Sequence, residues 1–165
     1  MAYTWINPEH PPADLEGSHF GQVGSPVLTP SGDSVRVTWS LTRWGPRPDH
    51  SSVYTSLSAD AGETWNAAPV HLATQAYATG AVCAAASGSR VQVAWEDNWG
   101  GDLHLVRSAD QGATWDAPVN LDLTLEVVSG TSAFPRMVAA GDRFYIGYRN
   151  NRWGTYGLYV RRRMP

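Results

Sequence analysis

The chain is 165 residues long, enough for one domain with a substantial core, and carries a net charge of −3 with only 16% charged residues. Nothing in that balance suggests a polyanion-binding surface, and nucleic acid is not expected as a partner. A single cysteine, Cys83, excludes an intrachain disulfide and a cysteine-based zinc site, and no apolar run reaches the roughly eighteen residues that a membrane-crossing helix needs.

All twelve basic residues are arginine. The start, Met1-Ala2-Tyr3-Thr4-Trp5, has neither a basic n-region nor an apolar h-region and does not read as a secretory signal, which leaves the compartment open. Eleven prolines, sixteen glycines and short apolar alternations predict an all-β chain without an amphipathic helix.

Taken in order, the predicted elements repeat at a period of about fifty residues. Residues 1–15 contain a lone strand at Tyr3-Thr4-Trp5-Ile6-Asn7-Pro8. An apolar, small-residue strand at 26–32 follows, then an alternating strand at 35–39, a loop with Arg43-Trp44-Gly45, and a third strand at 53–57. The octapeptide 58–65 leads into a fourth strand at 65–72. The same order returns at 82–88, 91–95, Asn98-Trp99-Gly100, 103–107, the octapeptide 108–115 and a fourth strand at 115–121. It returns a third time at 135–141, 144–148, Arg152-Trp153-Gly154 and 158–162, without octapeptide or fourth strand. Residues 121–128 fit neither period and read as loop. The missing strand stands at the other end, because Tyr3–Pro8 aligns with Glu63-Thr64-Trp65-Asn66-Ala67-Ala68 and with Ala113-Thr114-Trp115-Asp116-Ala117-Pro118. The units are therefore 16–73, 74–122 and 123–165, the last completed by a strand from 1–15.

Both octapeptides, Ser58-Ala59-Asp60-Ala61-Gly62-Glu63-Thr64-Trp65 and Ser108-Ala109-Asp110-Gln111-Gly112-Ala113-Thr114-Trp115, read S-x-D-x-G-x-T-W. Ser and Asp side chains bond nearby backbone groups, and Gly supplies a positive φ, so the pattern predicts a turn. The Trp should open the next strand and pack as an apolar anchor. The pattern resembles the Asp-box of the sialidase-like (BNR-repeat) β-propellers. The resemblance implies that Ser58, Asp60, Gly62, Trp65, Ser108, Asp110, Gly112 and Trp115 are structural, forming the turn between the third and fourth strands of a blade. It implies an Asp-box β-propeller with three four-stranded blades per chain, one of them split across the termini. Three blades do not close a ring. Two chains, each donating its first strand to the partner's third blade, would close six as a homodimer, the number found in that family. A fragment of a longer protein is the alternative.

In that family the boxes lie opposite the ligand face, which is formed by the inner strands, the loops between second and third strands and the loops from each fourth strand to the next first strand. This puts Trp44, Trp99 and Trp153 on the ligand face, each followed by Gly and preceded by Arg or Asn. An indole can stack on a sugar ring while Arg43, Arg152, Arg149 and Arg136 donate hydrogen bonds to hydroxyls or a carboxylate. The same tryptophans can equally be repeat architecture. Glu96 and Asp97, where the other copies carry Ser40-Leu41 and Arg149-Asn150, are candidate catalytic carboxylates, or solvated loop acids. Arg136 stands where the other inner strands carry Val27 and Cys83. The string Phe134-Pro135-Arg136-Met137 departs in order and spacing from the family's Phe/Tyr-Arg-Ile-Pro motif, and no Tyr–Glu nucleophile pair can be matched. The five histidines lack metal-ligand spacing, and Arg161-Arg162-Arg163 is too short to argue for nucleic acid. The expectation is a non-catalytic, lectin-like propeller that binds a glycan and needs neither metal nor cofactor. An exo-glycosidase of the sialidase type and a scaffold without a small ligand are the alternatives.

Overall fold

The computed structural model describes residues 20–24, 26–44, 50–75, 79–98, 100–122, 130–151 and 153–163, with the backbone alone at strand-end residues 20–22, 43, 44, 50, 75 and 163. The described residues form strands and no helix, as the composition predicts. In chain order these are β1 Phe20–Val23, β2 Val27–Ser31, β3 Ser34–Trp44, β4 His50–Ser58, β5 Val70–Gln75, β6 Thr79–Ser87, β7 Arg90–Asp97, β8 Asp102–Ser108, β9 Val119–Asn120, β10 Ser132–Ala140, β11 Arg143–Asn150 and β12 Gly157–Arg163. They build three antiparallel sheets. The first has β1 and β2 on successive parts of one edge of β3, then β4 and β5; the second is β6-β7-β8-β9 and the third β10-β11-β12.

The repeat holds at the level of single residue pairs. Across the first three strands of each sheet the register runs Val27–Thr38–Thr55, Cys83–Ala94–Leu105 and Arg136–Gly147–Val160. One position further on, Trp39 faces Tyr54, Trp95 faces His104 and Tyr148 faces Tyr159. All three pairs stack, with ring centroids 5.9, 5.7 and 5.8 Å apart. Such cross-strand aromatic pairs contribute about 0.5–1 kcal/mol each beyond burial. Each inner strand is also interrupted at one equivalent place: the break between β1 and β2 at Gly24, the bulge between Thr79 and Val82, and the bulge between Ala133 and Arg136.

Alternation along the strands gives each sheet two faces. The middle sheet is packed on both. Val82, Ala84, Val93 and Trp95 meet Val53, Leu72 and Ala73 of the first sheet. Cys83, Ala94, Leu103 and Leu105 meet Ile146 and Tyr148 of the third. The third sheet is packed on one face. On the other, Val138, Leu158 and Val160 are 56%, 80% and 67% exposed, although Leu158 and Val160 are the register equivalents of buried Leu103 and Leu105. Polar bonds cross the seams too. Buried Arg36 of β3 donates to the Gln111 carbonyl on the second sheet's turn, with its guanidinium over the Trp115 ring.

The fourth strands differ from the sequence reading. They begin at Val70 and Val119, and Trp65 and Trp115 lie before them, outside any strand. Pro69 and Pro118 lack the N–H that a ladder needs, so pairing starts only beyond them. Trp115 still anchors, half-buried against the first core, with its indole N–H donating to the Gly112 carbonyl at 3.1 Å. Residues 1–15, the expected fourth strand of the last unit, lie outside the described residues, as does most of 121–128.

Candidate functional site

The two octapeptide turns are the same object twice. In the first, Ser58 Oγ accepts from the Gly62 N–H at 2.8 Å and donates to Asp60 Oδ1 at 2.7 Å. Asp60 accepts the Thr64 N–H at 2.8 Å and the Thr64 hydroxyl at 2.5 Å. Ser108, Gly112, Asp110 and Thr114 repeat every bond within 0.1 Å. Bonding by Thr64 or Thr114, then by Ser58 or Ser108, pulls each carboxyl down to about 2. Gly62 and Gly112 sit at φ 95° and 83°, and Ala61 and Gln111 before them are also left-handed at 57°. Both carboxylate oxygens of each Asp are committed, so these acids hold the turn.

The turns are tied to the hairpins that join the first two strands, through Ala61 N–H to Asp33 O and Gln111 N–H to Ser89 O. They therefore lie at one end of the sheets, and the inner-strand bulges lie at the other. At the bulge end an open cavity of about 770 Å³ sits where the inner strands of all three sheets converge. Its lining includes Leu28, Thr42, Thr79, Asn98, Phe134 and Arg136. Among the described residues Arg136 is the one charged group in its lining, and its guanidinium donates to the carbonyl of the preceding Pro135 at 3.0 Å. Cys83 also lines it, but burial pushes the thiol up to about 12, which makes it a packed apolar group and no nucleophile.

Of the candidates read from sequence, Arg136 lines this cavity, and Arg149 and Glu96 each contact Phe134 of its lining. Glu96 Oε2 accepts the backbone N–H of Phe134 at 3.0 Å, tying the second sheet to the bulge of the third. Asp97 projects to the opposite face of β7, toward Gly100 and Asp102, so the two acids do not form a facing pair. Trp153 is 80% exposed. Trp99 and Arg152 lie outside the described residues, as do the side chains of Trp44 and Arg43. Among the described residues no group of three or more His, Cys, Asp or Glu could hold a metal ion.

Sequence reasoning passed over Phe134 and Tyr156. Phe134 is 52% exposed and held at φ 54°, a conformation that strains a bulky residue by roughly 1–3 kcal/mol. The Arg149 guanidinium carbon lies 4.3 Å from the Phe134 ring centroid and 4.3 Å from that of Tyr156. The signal for Phe134 was available, since it stands before a proline at the one inner strand bearing an arginine. No protein-family model matches the chain, and no curated protein matches it.

Proposed function

We propose that this chain is half of a sialidase-like Asp-box β-propeller, completed to six blades by a second copy, and that it binds carbohydrate at the bulge end without hydrolysing it. The observation that carries the reading is the cavity itself. Inner strands of three equivalent sheets converge on it, hydroxyl and amide groups mix with aromatic and apolar ones, and the saturated turns lie at the far end. A mixed lining of that kind suits a sugar, which offers hydroxyls at its edge and C–H groups on its faces.

Two features support closure by a second copy. The exposed Leu158 and Val160 stand where the middle sheet buries equivalent leucines, so the free face of the third sheet is composed like one that another sheet covers. Strand β12 is also an edge among the described residues, and Tyr3–Pro8 aligns with 63–68 and 113–118, the stretches that lead into β5 and β9, so that the strand to pair with it would follow directly after Tyr3–Pro8. Binding without hydrolysis is favoured because Glu96 already serves the Phe134 N–H and Asp97 faces away.

A glycan array beside a chromogenic sialoside assay tests the reading. Expected are glycan binding, weakened at least about tenfold by Trp153→Ala or Trp99→Ala, and no turnover. Hydrolysis abolished by Glu96→Gln and Asp97→Asn would instead favour the exo-glycosidase, and silence in both assays the scaffold.

A further inference from the structure

We propose that Thr79 and Asn98, flanking the Gly80 bulge, form a subsite for two adjacent hydroxyls of an uncharged sugar ring. It rests on the carbohydrate reading, which it narrows to a class of sugar. It needs no second copy, because Thr79 lies between two sheets of one chain.

Thr79 lines the cavity, 7% exposed, and its Oγ1 has no hydrogen-bond partner among the described residues. A buried hydroxyl without a partner costs stability, so its retention needs a compensating role. The third sheet shows that the fold can satisfy this position. There Ser132, opposite Asn150 as Thr79 is opposite Asp97, donates to Asp122 and accepts from Asn150, both at 2.9 Å. Asp97 turns instead to the Gly100 N–H. Gly80 brings in the second group. With no Cβ at the bulge, Asn98 Oδ1 lies over it, where the methyl of an alanine would stand. Asn98 is exposed and lines the same cavity. Glu96, which also approaches Gly80, is spent on the Phe134 N–H. Thr79 is on the face of its sheet that packs on the first sheet, where Ser40 and Thr42 extend the lining with further hydroxyls. Hydroxyl and amide groups both donate and accept, which matches sugar hydroxyls and not a fixed charge. The Thr79 Oγ1 itself is shielded, so its χ1 steps to another staggered well to meet the ligand.

NMR titration of the intact chain with the methyl glycosides of mannose, galactose and glucose, and with their monodeoxy forms, tests the subsite. At least one glycoside is expected to shift the Asn98 amide resonances and change the three-bond couplings of the Thr79 methyl. One of its deoxy forms should bind about tenfold more weakly. Thr79→Val should weaken the parent sugar about tenfold yet leave that deoxy form unchanged, while Thr79→Ser keeps the parent affinity. Without sugar, Thr79→Val should melt at or above the parent, since a methyl of the same shape replaces an unpartnered hydroxyl. Binding that survives Thr79→Val, or that falls equally for parent and deoxy sugars as melting drops, overturns the subsite and leaves the carbohydrate reading standing. Silence toward the three glycosides, with other glycans still bound on the array, does the same. Silence on the array as well overturns both.

Discussion

Asp122, 4% exposed at the seam between the second and third sheets, accepts the Leu103 N–H with one oxygen and the Ser132 hydroxyl with the other, both at 2.9 Å. Ser132 in turn accepts from Asn150. Burial is the largest influence on this acid and raises it, with the two hydrogen bonds and Arg161 opposing. A carboxyl raised in the fold favours the protonated folded state. Its stabilisation is complete below the unfolded value, about 3.9, and is lost as pH rises through the higher folded one. Asp60 and Asp110, drawn down to about 2, have the opposite sign: their contribution is present above the unfolded value and lost as pH falls toward 2. Urea midpoints measured across acid pH should separate the two. Asp122→Asn is expected to flatten the decline above pH 4, and Asp110→Asn to flatten the loss below it. Arg36→Met removes the charge-assisted bonds to the Gln111 carbonyl and the Thr55 hydroxyl and should cost roughly 1–3 kcal/mol in the same measurement. None of these seam roles was legible in the sequence, because Arg36, Asp122 and Asn150 each act on a residue far along the chain. The octapeptide turns were legible because the side-chain bonds of their Ser, Asp and Thr all close within four residues.

Strand order and pairing partners follow from alternation and spacing, which are local properties, and the three registers agree with that reading residue for residue. Where the fourth strands begin did not follow. A tryptophan looks like a strand residue, and only the proline four residues after Trp65, or three after Trp115, shows that pairing cannot yet start. The rim was half legible: Arg136 broke the repeat, while Phe134, which acts through its backbone angle, was signalled only by the proline that follows it. Equivalent positions in different sheets provide a controlled comparison. Leu103→Ala removes a fully buried side chain and should destabilise the chain by about 2–5 kcal/mol. Leu158→Ala changes an exposed one, and in a chain held monomeric should fall within about 0.5 kcal/mol of the parent. In the proposed ring the same substitution weakens association, which sedimentation at several concentrations reads directly.

For the molecule as a whole, light scattering should give about twice the 17.9 kDa chain mass. A chain lacking residues 1–12 should lose that association, since the strand proposed to cross between copies is gone. A well-behaved monomer of the intact chain would remove the six-bladed ring and leave the three sheets as described.

The three sheets stand in a row, each in contact through a core with its neighbour, and the middle one is covered on both faces. Stability in such a row is a sum over neighbours. Amide hydrogens of β7 and β8 should therefore outlast those of β11 and β12 in deuterated water, in a gradient that falls toward the uncovered face. In a closed ring every sheet has two neighbours, and the gradient should level as concentration rises. The order in which the strands trade protons with solvent is thus an internal gauge of whether the circle is complete.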